Sequence, residues 1–339
     1  MYIVYIACFL CAILFPNYMW EFNIPGSVLN GIAESIWLIA QGVFYSSTCE
    51  RILASDASLT ENTVRSHLAA AHSSVYMGAD TSLLIIATVA IHSFGNIYTF
   101  LGILLLCMTS GICLLFFGDL DSGGSGDVNI QHLVKDVGQT FALFKTDNRL
   151  WLLTPFLLAY GSANALVGTY ITGITITNSP SLGESYVGSL SALSRLAGTA
   201  CGPLYDSITV QNSDGRHWVM LWGCVVYFCC GILVIILSTE TLGIPAVAIA
   251  YQLLWGAGRG VMENTCRLIL AEFFSGNVSS AFSYYAFAVS LWTGISYYAD
   301  DYVSYTTMGW GVLGLAITAA WSYRSAYKHQ SAQPGYASI

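Results

Sequence analysis

Five ionisable side chains lie within long apolar stretches of this 339-residue sequence: Glu34, Asp80, Arg195, Arg259 and Glu263. At the centre of a membrane-spanning helix, a charged side chain costs roughly 2.5 to 3.5 kcal/mol on insertion scales. Each of these residues therefore needs an ionic partner or a functional ligand. Such groups can bind a charged solute, carry a proton or cation, or neutralise one another.

The spacing of these residues predicts shared helix faces. Arg259, Glu263 and Arg267 follow one another at intervals of four residues, and Glu34 and Gln41 are seven residues apart. Each set therefore occupies about one face of a helix. The first set can hold a ligand, or its three members can pair only with one another. The sequence leaves both interpretations open.

The composition predicts a membrane protein and not a soluble enzyme. Hydrophobic residues make up 55% of the chain and charged residues only 9%, against roughly 25% charged in an ordinary soluble domain. No Ser/His/Asp set, metal-ligand cluster or pair of catalytic carboxylates stands out at a water-accessible position, so we expect no enzymatic activity, cofactor or metal. The net charge of −8 argues against nucleic acid as a partner. The expected partner is the lipid bilayer.

Charge-poor apolar runs of about 18 or more residues can cross a hydrocarbon core of about 30 Å as helices. The sequence contains ten such runs: residues 2–20, 25–46, 69–94, 97–117, 151–176, 186–205, 218–237, 245–271, 278–298 and 303–323. Continuous apolar runs of this length do not fit the short alternating strands of a membrane barrel. We therefore predict an all-α membrane protein with ten transmembrane helices.

The charges between these runs predict the orientation, because cytoplasmic loops retain Lys and Arg. One set of loops carries basic residues, namely Arg51, Arg65, Lys135, Lys145, Arg149, Arg216, Arg324 and Lys328. The other set carries acidic residues, namely Glu21, Glu184, Glu240, Asp300 and Asp301. Both chain ends are therefore expected in the cytoplasm. The sequence does not choose between the plasma membrane and internal membranes.

A polar stretch at residues 118–149 separates four predicted spans from six. It opens with a Gly/Ser-rich run and continues into apolar residues at helical spacing, namely Val134, Val137, Phe141 and Phe144. We predict a helical half at 1–117, a cytoplasmic linker with an amphipathic helix at 118–149, a six-helix half at 150–324 and a cytoplasmic tail at 325–339. Four spans before this stretch and six after it suggest that two spans of a twelve-span pattern are lacking before the first predicted span. A true ten-helix protein is the alternative.

One loop resembles the signature loop of the major facilitator superfamily, which has Gly, then Asp four residues later, then Gly followed by basic residues. Here Gly202 precedes Asp206, and Gly215 precedes Arg216. The resemblance implies the helical bundle of that superfamily, with an ion pair that holds neighbouring helices in one state until the transporter switches. Ser207 replaces a basic residue and an insertion precedes Gly215, so a plain Gly/Asp loop is the alternative.

Three further motifs resemble one branch of that superfamily, the Unc-ninety-three-like family of ion channel regulatory proteins. Residues 37–42, Trp-Leu-Ile-Ala-Gln-Gly, are similar to the family's Trp-Thr-Ala-Gln-Gly. Residues 256–259, Gly-Ala-Gly-Arg, and 264–266, Asn-Thr-Cys, are similar to Gly-Leu-Gly-Asp and Asn-Thr-Gln, with Arg259 in place of the acidic residue. Residues 280–282, Ser-Ala-Phe, are similar to the family's Ala-Phe segment. The likeness covers most of the chain.

The superfamily resemblance implies that the second, fifth and eighth spans line a cavity at the bilayer midplane. The candidate ligand-binding residues on these spans are Glu34, Gln41, Tyr160, Asn164, Arg259 and Glu263, with Thr169 as a further neutral contact. The third and sixth spans are expected to face each other across the two halves. Asp80 and Arg195, at similar depth on these spans, should then form a salt bridge. The candidate switch residues are Asp80, Arg195, Asp206 and Arg216.

Two functions are compatible with this fold. The Unc-ninety-three-like resemblance implies a regulatory or trafficking role toward ion channels or other membrane proteins, which would then be partners. The alternative is a secondary transporter of a small polar or charged solute, with Glu34 or Glu263 as a proton or cation coupling group. The irregular loop at Asp206 and the unusual Arg259 favour the regulatory role.

Overall fold

The structure is a computed structural model. It describes residues 2–56, 61–114, 140, 142–183, 186–211, 214–274, 277–300 and 302–331. Within these ranges every regular element is helical, which confirms the predicted all-α class.

Ten long helices occur in the described residues, and each overlaps one of the predicted apolar runs. They are α1 (Tyr2–Leu14), α2 (Met19–Ser55), α3 (Glu61–Phe94), α4 (Asn96–Leu114), α5 (Asn148–Leu166, continued by the π-helix Val167–Ile176), α6 (Val187–Gln211), α7 (Gly215–Ile236), α8 (Pro245–Gly260, the π-helix Val261–Cys266, then Arg267–Phe273), α9 (Val278–Asp300) and α10 (Tyr305–Ser331). The 3₁₀ turn Pro16–Tyr18 ends α1 earlier than predicted, because proline has no N–H to continue the helix.

Three helical stretches have the length and composition of membrane spans: Thr63–Phe94, Asn148–Ile176 and Gly215–Ile236. Two shorter stretches, Ile3–Leu14 and Ile97–Cys113, are also apolar. Large apolar side chains point outward from several helices. Val75 on α3 is 74% exposed and Ile236 on α7 is 69% exposed. An outer surface of this kind suits lipid better than water.

The start of α5 shows how a polar residue fixes a helix end. The Asp147 carboxylate accepts a hydrogen bond from the Arg149 backbone N–H at 2.9 Å and pairs with the Arg149 guanidinium. This is the arrangement of an N-cap. Burial acts to raise the pKa of Asp147, but the hydrogen bonds and the charge of Arg149 outweigh it and lower that pKa below its ordinary value.

Helix α3 makes most of the contacts between the first four helices and the last six, and it lies along α6. These are the third and sixth predicted spans, so the expectation that they face each other is confirmed. Helix α10 packs against α5 and α7, and α9 packs against α5 and α2. The main buried apolar cluster draws its residues from α5 to α10, together with Leu143 and Phe144.

Helices α6 and α8 approach very closely at Gly256. A Cβ atom at that position would lie 2.1 Å from the Ser194 carbonyl oxygen and 2.7 Å from the Ala197 Cβ. Across the same crossing, a Cβ at Gly198 would lie 3.1 Å from the Gly256 carbonyl oxygen. Small residues thus permit the two helix backbones to meet.

The predicted linker helix falls largely outside the described residues, as do Val134, Val137 and Phe141 of its apolar stripe. Residues 142–146 are described and helical. The Phe144 ring lies with its centroid 4.0 Å from that of Trp151 and 4.9 Å from that of Tyr284. The end of the stripe therefore packs against the helix bundle.

Candidate functional site

A cavity of about 820 Å³ lies between α2, α5, α8 and α9. Four of the predicted binding residues line it, namely Tyr160, Asn164, Arg259 and Glu263. The second, fifth and eighth predicted spans thus contribute to one cavity, and its role in ligand binding stays a prediction. Thr169 does not line this cavity. Its hydroxyl donates to the Ala165 carbonyl of its own helix at 2.9 Å.

Helix α2 contributes Ser27, Asn30 and Trp37 to the cavity wall. Glu34 belongs to the same stretch of α2. Gln41 follows two turns later. The side chains of Glu34 and Gln41 are outside the described residues, so their predicted contacts stay predictions.

The predicted ion pair between α3 and α6 is present in the structure. Arg195 Nε donates to the Asp80 carboxylate, and the Arg195 side chain also lines the cavity. Arg259 of α8 reaches the same carboxylate oxygen with its Nη2, at 3.4 Å. One carboxylate therefore joins arginines from two other helices. The predicted role of Asp80 and Arg195 in a conformational switch stays a prediction.

Glu263 pairs within its own helix. Its Oε2 lies 2.5 Å from Arg267 Nη2, an ion pair without the alignment of a hydrogen bond. The interpretation that Arg259, Glu263 and Arg267 pair only with one another is therefore wrong for Arg259, which contacts Asp80. The Glu263–Arg267 pair keeps the expected spacing of four residues. The sequence argument considered one helix at a time, whereas the packing of α8 beside α3 brings Asp80 within reach of Arg259.

The Glu263–Arg267 pair lies between two cavities. Both residues line the large cavity and also a small one of about 20 Å³. The small cavity is completed by Tyr45, Ala69, His72 and Phe282. The ion pair therefore forms a partition across the interior of the bundle.

Beyond the small cavity, contacts among α2, α3, α8 and α9 close the bundle. The Tyr45 hydroxyl donates to the Arg65 carbonyl at 2.6 Å, and Arg65 Nη1 donates to the Ala271 carbonyl at 3.1 Å. The Tyr45 ring also lies against Phe282, with centroids 6.2 Å apart. The large cavity, in contrast, extends toward Ser27 and Tyr297, near the opposite helix ends.

Aromatic side chains form much of the wall of the large cavity. The Tyr160 ring stacks on Trp255 with centroids 5.6 Å apart. The Arg267 guanidinium lies 5.5 Å from the ring centroid of Tyr285 and 5.9 Å from that of Tyr76. Such cation–π contacts favour the charged form of Arg267 in an apolar setting.

The contribution of α9 was missed from the sequence. Its residues Tyr285, Val289, Thr293 and Tyr297 all line the cavity and recur every four positions. That spacing is a visible signal of one helix face. It carries no charge, however, so it does not stand out within an apolar run.

Several polar atoms of the cavity residues have no hydrogen-bond partner in the described part of the chain. They are Arg259 Nε, Arg267 Nε, Asn30 Oδ1 and Glu263 Oε2, of which the last is held only by its ion pair with Arg267. Buried polar groups are nearly always satisfied in native proteins. Unsatisfied groups around a cavity therefore point to water or a ligand as their partner.

Asp206 and Arg216 lie away from the cavity, and the predicted loop is shorter than expected. Helix α6 continues to Gln211, so Asp206 is inside a helix and not at a helix end. Its carboxylate contacts His67 Nδ1 of α3 at 3.0 Å. Arg216 pairs with Glu272 at the end of α8. Each of these ion pairs thus joins two helices, whereas the expected position of Asp206 at a helix end is wrong. The role of Asp206 and Arg216 in a conformational switch stays a prediction.

Within the described ranges, no group of three or more His, Cys, Asp or Glu side chains could hold a metal ion. No family model, curated protein or solved structure matches the chain. The family resemblance therefore stays a prediction, and the functional argument rests on the cavity.

Proposed function

We propose that this chain is a multi-pass membrane protein of the major facilitator type, with ten spans and both ends in the cytoplasm. It transports a small polar or charged solute by alternating access. The cavity carries this proposal: it lies between long apolar helices and is lined by Arg195, Arg259, Glu263 and Arg267. Charged groups within such helices are costly and therefore mark a solute pathway.

The asymmetry of the interior supports alternating access. The large cavity reaches toward Ser27 and Tyr297, near the helix ends that the charge pattern assigns to the non-cytoplasmic side. Tyr45, Arg65 and Phe282 close the bundle near the opposite ends. This is the arrangement expected of an outward-facing state.

Ligand-dependent unfolding of the purified protein in detergent tests this function. A bound solute stabilises the folded state by mass action, so one or more compounds from a panel of ions and metabolites should raise the unfolding temperature. The rise should be lost in Arg259→Ala and Glu263→Ala and kept in Arg324→Ala, which changes an exposed arginine outside the cavity. No shift with any compound, in a well-folded sample, would contradict transport.

The second candidate is the regulatory or trafficking role that the family resemblance implies. One surface favours it. Helix α4 exposes large side chains at alternating intervals of three and four residues, namely Tyr98, Leu101, Leu105, Met108 and Ile112. This is the spacing of a seam that packs against another helix. A well-folded protein without any ligand response would favour this role.

A further inference from the structure

We propose that the cavity selects small organic carboxylates, and that Arg259 binds the carboxylate group in exchange for Asp80. This inference rests on the proposed function and deepens it by naming the class of solute. Three features of the cavity carry it: the local charge, the state of the Arg259 side chain and the aromatic walls.

The arginines around the cavity differ in how closely a carboxylate pairs with each of them. Glu263 lies 2.5 Å from Arg267 Nη2, and Asp80 pairs closely with Arg195. Arg259 has a longer contact, 3.4 Å to the shared Asp80 oxygen, and the Glu263 carboxylate also acts on its charge. Of the three arginines that line the cavity, Arg259 thus has the longest ion-pair contact in the described part of the chain, and a bound anion would neutralise it more closely.

The hydrogen-bonding state of Arg259 points the same way. Its side chain is 12% exposed, and its Nε has no hydrogen-bond partner among the described residues. A guanidinium offers a planar fork of N–H donors that matches the two oxygens of a carboxylate. A bound carboxylate would therefore satisfy a buried donor that the described part of the chain leaves unpaired.

The rest of the cavity suits an organic body and not a bare inorganic ion. Tyr76, Tyr160 and Tyr285 present aromatic surface to it, and Asn164 adds a neutral amide. A volume of about 820 Å³ is far larger than a single ion requires. Cavities of this kind bind small molecules through apolar contact and a few oriented polar groups.

The exchange of Asp80 for a bound carboxylate at Arg259 links ligand binding to the contact between two helices. Asp80 belongs to α3 and Arg259 to α8, so their contact ties the front helices to the rear ones. A carboxylate that occupies Arg259 releases this tie and leaves Asp80 with Arg195. Occupancy of the site therefore changes the contact between α3 and α8.

Matched compounds that differ in charge test this inference. We would measure the unfolding temperature in detergent at pH 7 with benzoate, benzamide and benzylamine, and with butyrate, butyramide and butylamine. The carboxylates should stabilise the protein, and the amides and amines should not. Arg259→Gln should weaken carboxylate binding about tenfold or more. Arg259→Lys, which keeps the charge but loses the fork, should fall between that variant and the original protein.

Two further variants sharpen the result. Asp80→Asn removes the competing carboxylate and should strengthen carboxylate binding several-fold, which a purely structural role of Asp80 would not produce. Arg324→Gln should leave binding unchanged, because Arg324 lies outside the cavity. If Arg259→Gln does not fold, Arg259→Lys and Asp80→Asn decide the outcome.

Stabilisation by amides or amines at least as large as that by carboxylates would overturn the anion selectivity while leaving solute binding intact. Unchanged carboxylate binding in folded Arg259→Gln and Arg259→Lys would overturn the role of Arg259. No response to this series or to the wider panel of ions and metabolites would remove both this inference and the transport function.

Discussion

At the scale of single residues, Asp80 is the carboxylate that two arginines share. It accepts a hydrogen bond from Arg195 and contacts Arg259, so two positive charges depend on one carboxylate. Its side chain is 29% exposed, which allows partial solvation. Loss of Asp80 would remove the carboxylate that contacts both arginines, whereas loss of Arg195 would leave Asp80 with Arg259 as its partner.

We therefore expect Asp80→Asn to destabilise the protein more than Arg195→Gln does. The expected loss for Asp80→Asn is about 2 kcal/mol, in the range of hydrogen bonds to charged groups. The exchanged double variant Asp80→Arg/Arg195→Asp should recover part of the stability lost by either single exchange. Recovery should be incomplete, because Arg259 would then face a new arginine. Unfolding in detergent measures all of these effects.

A double exchange that is no more stable than either single exchange would show that the two residues do not depend on each other. Equal losses in Asp80→Asn and Arg195→Gln would argue against a shared carboxylate. The comparison is informative only at one pH and one salt concentration, since ion pairs are screened by salt.

At the scale of elements, α8 combines two features that set the site. The π-helix Val261–Cys266 holds Glu263, and the Gly-rich turns before it bring α8 against α6. The close approach at Gly256 fixes how near the Arg259 side chain comes to α3 and α6. Packing between helices therefore decides the distance over which Arg259 can reach Asp80.

Gly256→Ala should disrupt this crossing. The new methyl group would lie 2.1 Å from the Ser194 carbonyl oxygen, so the helices must move apart. We expect a loss of about 1 to 3 kcal/mol, which outweighs the gain of up to ~1 kcal/mol in helix propensity. Gly314→Ala on α10 is the matched control, because no atom lies within 4 Å of its added methyl group. Thermal unfolding of the two variants in the same detergent gives the comparison.

A Gly256→Ala protein as stable as the Gly314→Ala protein would mean that α6 and α8 can separate without cost. In that event the glycines would have no packing role. The contact between Arg259 and Asp80 would then need another explanation.

At the scale of the whole molecule, the closed end of the bundle lies opposite the end toward which the large cavity extends. Tyr45 contributes both a hydrogen bond to the Arg65 carbonyl and a ring contact to Phe282. Ala69, beside the small cavity, is 5% exposed. In an alternating-access cycle this end must open, and Tyr45 is the side chain whose removal should weaken it most.

We expect Ala69→Cys to resist N-ethylmaleimide in an otherwise unchanged protein and to react several-fold faster when combined with Tyr45→Ala. Asn30→Cys, on the wall of the large cavity, should react in both backgrounds. Because the chain has ten native cysteines, peptide mass spectrometry must locate the label. Equal reactivity of Ala69→Cys with and without Tyr45 would contradict a closing role for this side chain.

The sequence alone determined the helical class, the positions of ten long helices and the residues that cost most to bury. Apolar runs and the residues that interrupt them favour helices through local interactions and through contact with the surrounding solvent. They can therefore be recognised from the sequence alone. For the same reason Arg259, Glu263 and Asp80 stood out, since a charge inside an apolar run is conspicuous wherever the chain folds.

The tertiary structure decided which charges meet. Arg259 and Asp80 are 179 positions apart, and Asp206 and His67 are 139 apart. The close crossing of α6 and α8 and the alignment of α3 with α6 bring these pairs together. The uncharged face of α9 also joined the cavity only through packing. An ion pair forms where two side chains come within a few ångströms, and that distance depends on how distant helices pack.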